Sequence, residues 1–117
     1  MNRDELFEYA REAFGVAPEY LWQRYPNYAV LRHSENDKWF ALIADVSKAK
    51  QGIAGEGRID FLVDKEDPGI IAQLIQREGF YPAYHMSKKN WISLALDGRI
   101  ADEEIMRMLN TSFQLTR

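Results

Sequence analysis

The chain has 117 residues, 46% hydrophobic and 13% aromatic, with a formal charge of −3 and a sequence pI of about 5.4. That length fits one domain burying roughly two thirds of the surface its unfolded chain exposes, and the absence of cysteine excludes disulfides, thiolate metal sites and thiolate nucleophiles. An acidic total is not the footprint of a protein that grips nucleic acid over its whole surface, and no apolar run approaches the ~20 residues that span a bilayer, so a cytoplasmic protein without a membrane partner is expected.

Residues 2–14 are predicted as an amphipathic helix, because Leu6, Ala10, Ala13 and Phe14 recur at helical spacing and Phe7 widens the stripe. Asn2 and Glu5 form a capping box, and Gly15 ends the helix. Residues 17–28 carry Pro18 and Pro26 among Tyr20, Trp22, Tyr25 and Tyr28, which predicts a short strand or an irregular crossing. These rings suit base stacking or a ligand cleft, but the burial preference of aromatics favours the rim of the core.

Residues 29–34 and 38–46 read as a hairpin around Glu35-Asn36-Asp37. Strict alternation puts Phe40, Leu42, Ala44 and Val46 on one face and Trp39, Ala41, Ile43 and Asp45 on the other, as in a strand interior to a sheet. Residues 47–58 form a glycine-bearing loop with Lys48, Lys50 and Arg58; its spacing fails the phosphate-loop pattern, leaving a flexible wing along a phosphate backbone or a solvated hairpin tip. A strand follows, with Ile59, Phe61 and Val63 on one side. Asp67-Pro68 starts a middle helix, with Ile70, Ile71, Leu74 and Ile75 as its buried stripe and Gly79 as its stop. Glu66, Asp67 and Glu78 read as solvated or capping charges.

The run from Gly79 to Gly98 is the most densely specific. Phe80 to Tyr84 is extended and limited by Pro82 to a sheet edge or a strand start, while Trp91 to Leu96 is a β-rich run ending at the Asp97-Gly98 turn. The interval His85 to Asn90 is predicted as one exposed helical turn. Lys88, Lys89 and Arg99 against Asp97 give residues 79–99 a charge of +2. Asp102-Glu103-Glu104 then opens a last helix, where the dipole favours acids, and Ile105, Met108, Leu109, Ser112 and Phe113 face its core.

His33 and His85 are the only histidines, and no nucleophile-elbow sequence positions a serine, so no enzyme is expected. No cofactor or metal motif is present in the pattern. His85, between a strand end and a basic turn, suits phosphate contact or proton transfer, with turn capping as the alternative. Lys88 and Lys89, flanked by Tyr84, His85 and Trp91, make a local anion-binding spot.

The order G-F-Y-P-A-Y-H-M-S-K-K-N-W-I-S-L-A-L-D-G over residues 79–98, followed by the acidic helix start and the Ser112-Phe113 pair, resembles the MmcQ/YjbR family of small bacterial proteins. The resemblance implies a single α+β domain over residues 1–117, of the CyaY-like type, with an antiparallel sheet carrying an N-terminal, a middle and a C-terminal helix. It also implies a DNA-binding role, by analogy with a double-wing phage transcription-factor domain, and supplies no catalytic residue. In that reading Lys48, Lys50 and Arg58 form one basic projection and His85, Lys88 and Lys89 the other, on a common side of the body. The alternative is a protein-interaction or small-ligand module using the aromatic surface near Tyr84 and Trp91.

Overall fold

Helix α1 (Arg3–Phe14) is closed at both ends by its own sequence. In the computed structural model, which describes residues 1–117, the Glu5 N–H donates to the Asn2 side chain at 2.9 Å and the Asn2 N–H to Glu5 Oε1 at 3.0 Å, while Gly15 takes φ 68°. The chain then crosses irregularly through residues 17–28, touching the sheet at one bridge between Glu19 and Val30. Strands β1 (Ala29–Arg32), β2 (Trp39–Ser47), β3 (Arg58–Lys65), β4 (Phe80–Pro82) and β5 (Trp91–Ala95) form one sheet in the order β1-β2-β3-β5-β4, antiparallel throughout. Helices α2 (Pro68–Leu74) and α3 (Asp102–Leu115) complete the α+β body.

All three helices pack on one face of the sheet. Leu6 and Ala10 of α1, Ile71 and Leu74 of α2, and Ile105, Met108 and Leu109 of α3 meet Leu31, Ile43, Leu62, Ile92 and Leu94. The opposite face is built from Val30, Leu42, Ala44, Ile59, Phe61 and Val63, and none of the three helices reaches it. It is sheltered instead by side chains from the three connectors: Trp22 and Tyr28, Ile53, and Tyr84 with Met86. No helix is long and apolar enough to cross a membrane.

Four sequence expectations need correction. Strict alternation along β2 fails at its start, because the register slips between Leu31 opposite Ala41 and Arg32 opposite Trp39, leaving Phe40 as an extra residue. Such a bulge reverses the face of everything beyond it, so Phe40 enters the helix-covered core and Trp39 joins the helix-free face. Helix α2 stops at Leu74, five residues before Gly79, and Ile70 and Ile75 lie 46% and 42% exposed rather than in its buried stripe. Gly79 serves a different need: it has φ 94°, and a Cβ there would sit 2.8 Å from Ile100 Cγ1. Glu66 is buried, not solvated, and its Oε1 accepts the Asp67 N–H at 3.0 Å. The predicted helical turn over His85 to Asn90 contracts to Ser87–Trp91, closed by the Asn90 and Trp91 N–H groups on the Ser87 carbonyl.

Two further polar groups lie under the helices. His33 is a core histidine whose Nε2 lies 2.7 Å from Thr116 Oγ1, against the rings of Phe40 and Phe113, and burial pushes its pKa down. Asp64, on β3 between Ala41 and Ile92, is fully buried and neither carboxyl oxygen has a hydrogen-bond partner. Burial, followed by the neighbouring Glu66 charge, raises its pKa well above the ordinary carboxylate range.

Candidate ligand pocket on the helix-free face

The helix-free face holds its shape through aromatic contacts. Tyr28, at the end of the crossing segment, is 5% exposed, and its hydroxyl lies 2.8 Å from that of Tyr84. Burial, reinforced by the Tyr84 hydroxyl, raises the Tyr28 phenol beyond its usual pKa. Trp22 meets Tyr28 edge-on, with centroids 6.1 Å apart and planes at 74°, and meets Trp39 at 5.7 Å and 79°. Tyr25 stacks on Tyr28 at 4.7 Å.

Between these rings lies a cavity of about 420 Å³, within the size range of small-molecule sites. Trp22, Tyr25, Tyr28 and Trp39 supply four of its walls, Leu42 lines it from the sheet, and His85 with Met86 lines it from the loop after β4. No lysine, arginine or carboxylate lines it. Two other concavities of similar size, about 360 and 400 Å³, are polar and already internally satisfied: Arg3 pairs with Asp60 and Arg58 with Asp45 in one, Arg32 with Glu19 in the other. An apolar pocket has no such internal partner for its walls.

The loop that brings His85 to the pocket is under backbone strain. His85 sits at φ 60°, a left-handed conformation that costs a non-glycine residue of order 1–3 kcal/mol and is retained where surroundings over-determine it. Lys88 is part of that determination, because its Nζ donates to the Ala83 carbonyl at 3.0 Å and closes the loop on itself. Tyr84 adds a second tie by donating its N–H to Ser93 Oγ at 3.0 Å.

The sequence-selected cations divide accordingly. Arg58 Nε donates to Asp45 Oδ1 at 2.9 Å and Nη2 to the Asp45 carbonyl at 2.7 Å, so its charge is largely answered within the fold. Lys48 is half-buried along Gly55, while Lys50 and Lys89 are exposed; no lysine joins any ion pair. Ile53 of the first loop and Tyr84 with Met86 of the second pack on the same face, so the two basic segments do share a side of the body. They stand at opposite ends of it: Trp91 pairs with Lys65, and Arg58 begins the same strand seven residues earlier, roughly 23 Å away at about 3.3 Å per residue. Tyr84 and Trp91 belong to the aromatic face, but the pocket itself centres on Trp22, Tyr28 and Trp39. The signal for those rings was the aromatic density of residues 17–28 and Trp39 at a strand start; their convergence depends on the β2 bulge, which alternation does not reveal.

A YjbR family model matches residues 4–115, nearly the whole chain. The chain belongs to the YjbR family. Among its relatives is the "Uncharacterized protein YyaQ" of Bacillus subtilis (strain 168), 41% identical over 117 residues, covering 100% of this chain and 99% of that protein. A Pseudomonas syringae protein of known crystal structure is 43% identical, with a TM-score of 0.97 and full coverage of both chains. The Deinococcus radiodurans protein DR2400 has the same fold at 22% identity, with a TM-score of 0.73 over 97% of this chain and 77% of that one. The YjbR fold therefore includes the helix-free sheet face on which the pocket is built.

Proposed function

We propose that this YjbR protein is a non-enzymatic binding module that takes a small ligand into the aromatic pocket of its helix-free sheet face. The observation that carries the reading is the pocket itself: about 420 Å³, four aromatic walls, and one strained histidine turned toward it. Burying a ligand there removes apolar ring surface from water at about 25 cal/mol per Å². Rings already fixed by mutual contact lose little freedom when they bind. The test is a fragment set followed by tryptophan fluorescence. Saturable binding that Tyr25→Ala weakens is expected, since Tyr25 is 47% exposed and its loss leaves the core intact; no fragment binding at millimolar concentration would remove the reading.

A second reading, DNA contact, is favoured by one observation: Lys48, Lys50 and Lys89 make no ion pair, and their segments flank one face. Against it stand the acidic total, the Asp45 partner of Arg58 and the separation of the two basic ends. Anisotropy of a labelled duplex at low salt decides it. The DNA reading expects binding that weakens steeply with salt and is lost when Lys48, Lys50 and Lys89 are replaced by alanine; the ligand reading expects no saturable signal.

A further inference from the structure

The shape and chemistry of the pocket specify more than apolarity. A flat ring binds best in a slot between two parallel aromatic faces, spaced widely enough for a third. The near-parallel pair that contributes to this pocket, Tyr25 and Tyr28, is already in contact at 4.7 Å and 17°, which leaves no such gap. The other walls meet at steep angles, Trp22 standing 74° from Tyr28 and 79° from Trp39, so ring faces and edges enclose a corner instead of a slot. A corner of aromatic rings accepts a rounded group and presents it with electron-rich surface wherever a ring face, not an edge, is turned inward.

Rounded and apolar groups are either branched hydrocarbons or alkylated ammonium ions, and the electrostatics separate them. No arginine or lysine lines the pocket to repel a cation. The nearest lysine on its own loop, Lys88, is engaged with the Ala83 carbonyl. The Tyr28 and Tyr84 hydroxyls bond each other, so the polar end of Tyr28 is turned to a protein partner and its ring remains as wall. The whole chain is acidic, which attracts cations at long range. An alkylated ammonium ion, having few or no N–H groups to leave unsatisfied, loses less on entering such a site than a primary ammonium would.

Resting on the small-ligand reading above, we infer that the pocket is an aromatic cage for a quaternary ammonium group borne on a small molecule, with Trp22, Trp39 and the Tyr25–Tyr28 stack as its walls.

The experiment is a calorimetric and tryptophan-fluorescence titration of the full chain with choline, tetramethylammonium, the neutral carbon isostere dimethylbutanol, and the flat heteroaromatic indole. Choline is expected to bind about tenfold or more tightly than dimethylbutanol, because only the cation gains from the ring faces. Trp39→Leu and Tyr25→Ala are each expected to remove that preference. Tyr25→Ala, at an exposed ring, keeps the test valid if Trp39→Leu folds poorly. Equal binding of choline and dimethylbutanol, or binding of indole without choline, would overturn the cage while leaving a ligand pocket in place. Binding of none of the four would overturn the cage; the wider reading then falls only if the fragment set also fails.

Discussion

The two faces of the sheet are packed by different means. Under the helices, aliphatic side chains from α1, α2 and α3 interdigitate with Leu31, Ile43, Leu62, Ile92 and Leu94, and every one of those strand residues is fully buried. On the other face the connectors, not helices, supply the cover, and much of that cover is aromatic and half-exposed. A helix face closes a sheet completely because its stripe is continuous; loops meeting edge to edge do not, and the gap between the crossing segment and the loop after β4, over Trp39 and Leu42 of β2, is the pocket. Stability is therefore expected to reside under the helices and recognition on the side without them.

The largest expected effect is Phe40→Ala. Phe40 is fully buried edge-on against the stacked rings of Phe14 and Phe113, and its truncation should cost about 3–5 kcal/mol in urea unfolding. Tyr25→Ala on the opposite face should stay within about 0.5 kcal/mol, and similar losses for both would break the division between the faces. Gly79→Ala comes next, at about 1–3 kcal/mol by thermal unfolding, because φ 94° and the approach of Ile100 both oppose a Cβ.

Asp64 sharpens the comparison through pH. A carboxyl whose folded pKa is raised keeps its proton in the native state over a window in which the unfolded chain has released it. The stability this gives is fully present below the unfolded value near 3.8 and is lost as pH rises toward the raised folded value, at up to about 1.4 kcal/mol per pH unit. Asp64→Asn should flatten that fall in denaturation curves taken across the acidic to neutral range; an unchanged pH profile would show that Asp64 does not carry it. His85→Gly should raise stability by about 1 kcal/mol through relief of the left-handed backbone, while weakening ligand binding by removing the imidazole wall.

Much of this fold is legible in the sequence because local chemistry dictates it. Asn2 and Glu5 cap α1, Asp67-Pro68 opens α2 with the Gly69 N–H on Asp67 Oδ1, Pro82 lies on an edge strand, and Ile105 to Ser112 face inward as their spacing requires. The site was less legible, for three separate reasons. A bulge changes which face Trp39 occupies without any residue announcing it. Arg58 and Lys88 look free in sequence, but tertiary folding brings Asp45 and the Ala83 carbonyl to them. Of the rings of residues 17–28, Tyr28 and Trp22 pack at the rim of the core while Tyr20 and Tyr25 stay about half exposed, and the same rim turns out to be the wall of a cavity. Asp64 alternates with Phe61 and Val63 and so falls on the helix-facing side with Leu62, where burial depends on α3 closing over it.

The division between the faces can be read most directly from the three indole N–H resonances in a nitrogen-15 correlation spectrum during titration with a bound fragment. Trp22 and Trp39 line the pocket, whereas Trp91 packs on the same face outside it. Trp22 and Trp39 should shift together and saturate with one dissociation constant while Trp91 stays in place. Movement of Trp91 alone, or of no indole at all, would contradict a ligand site on the helix-free face.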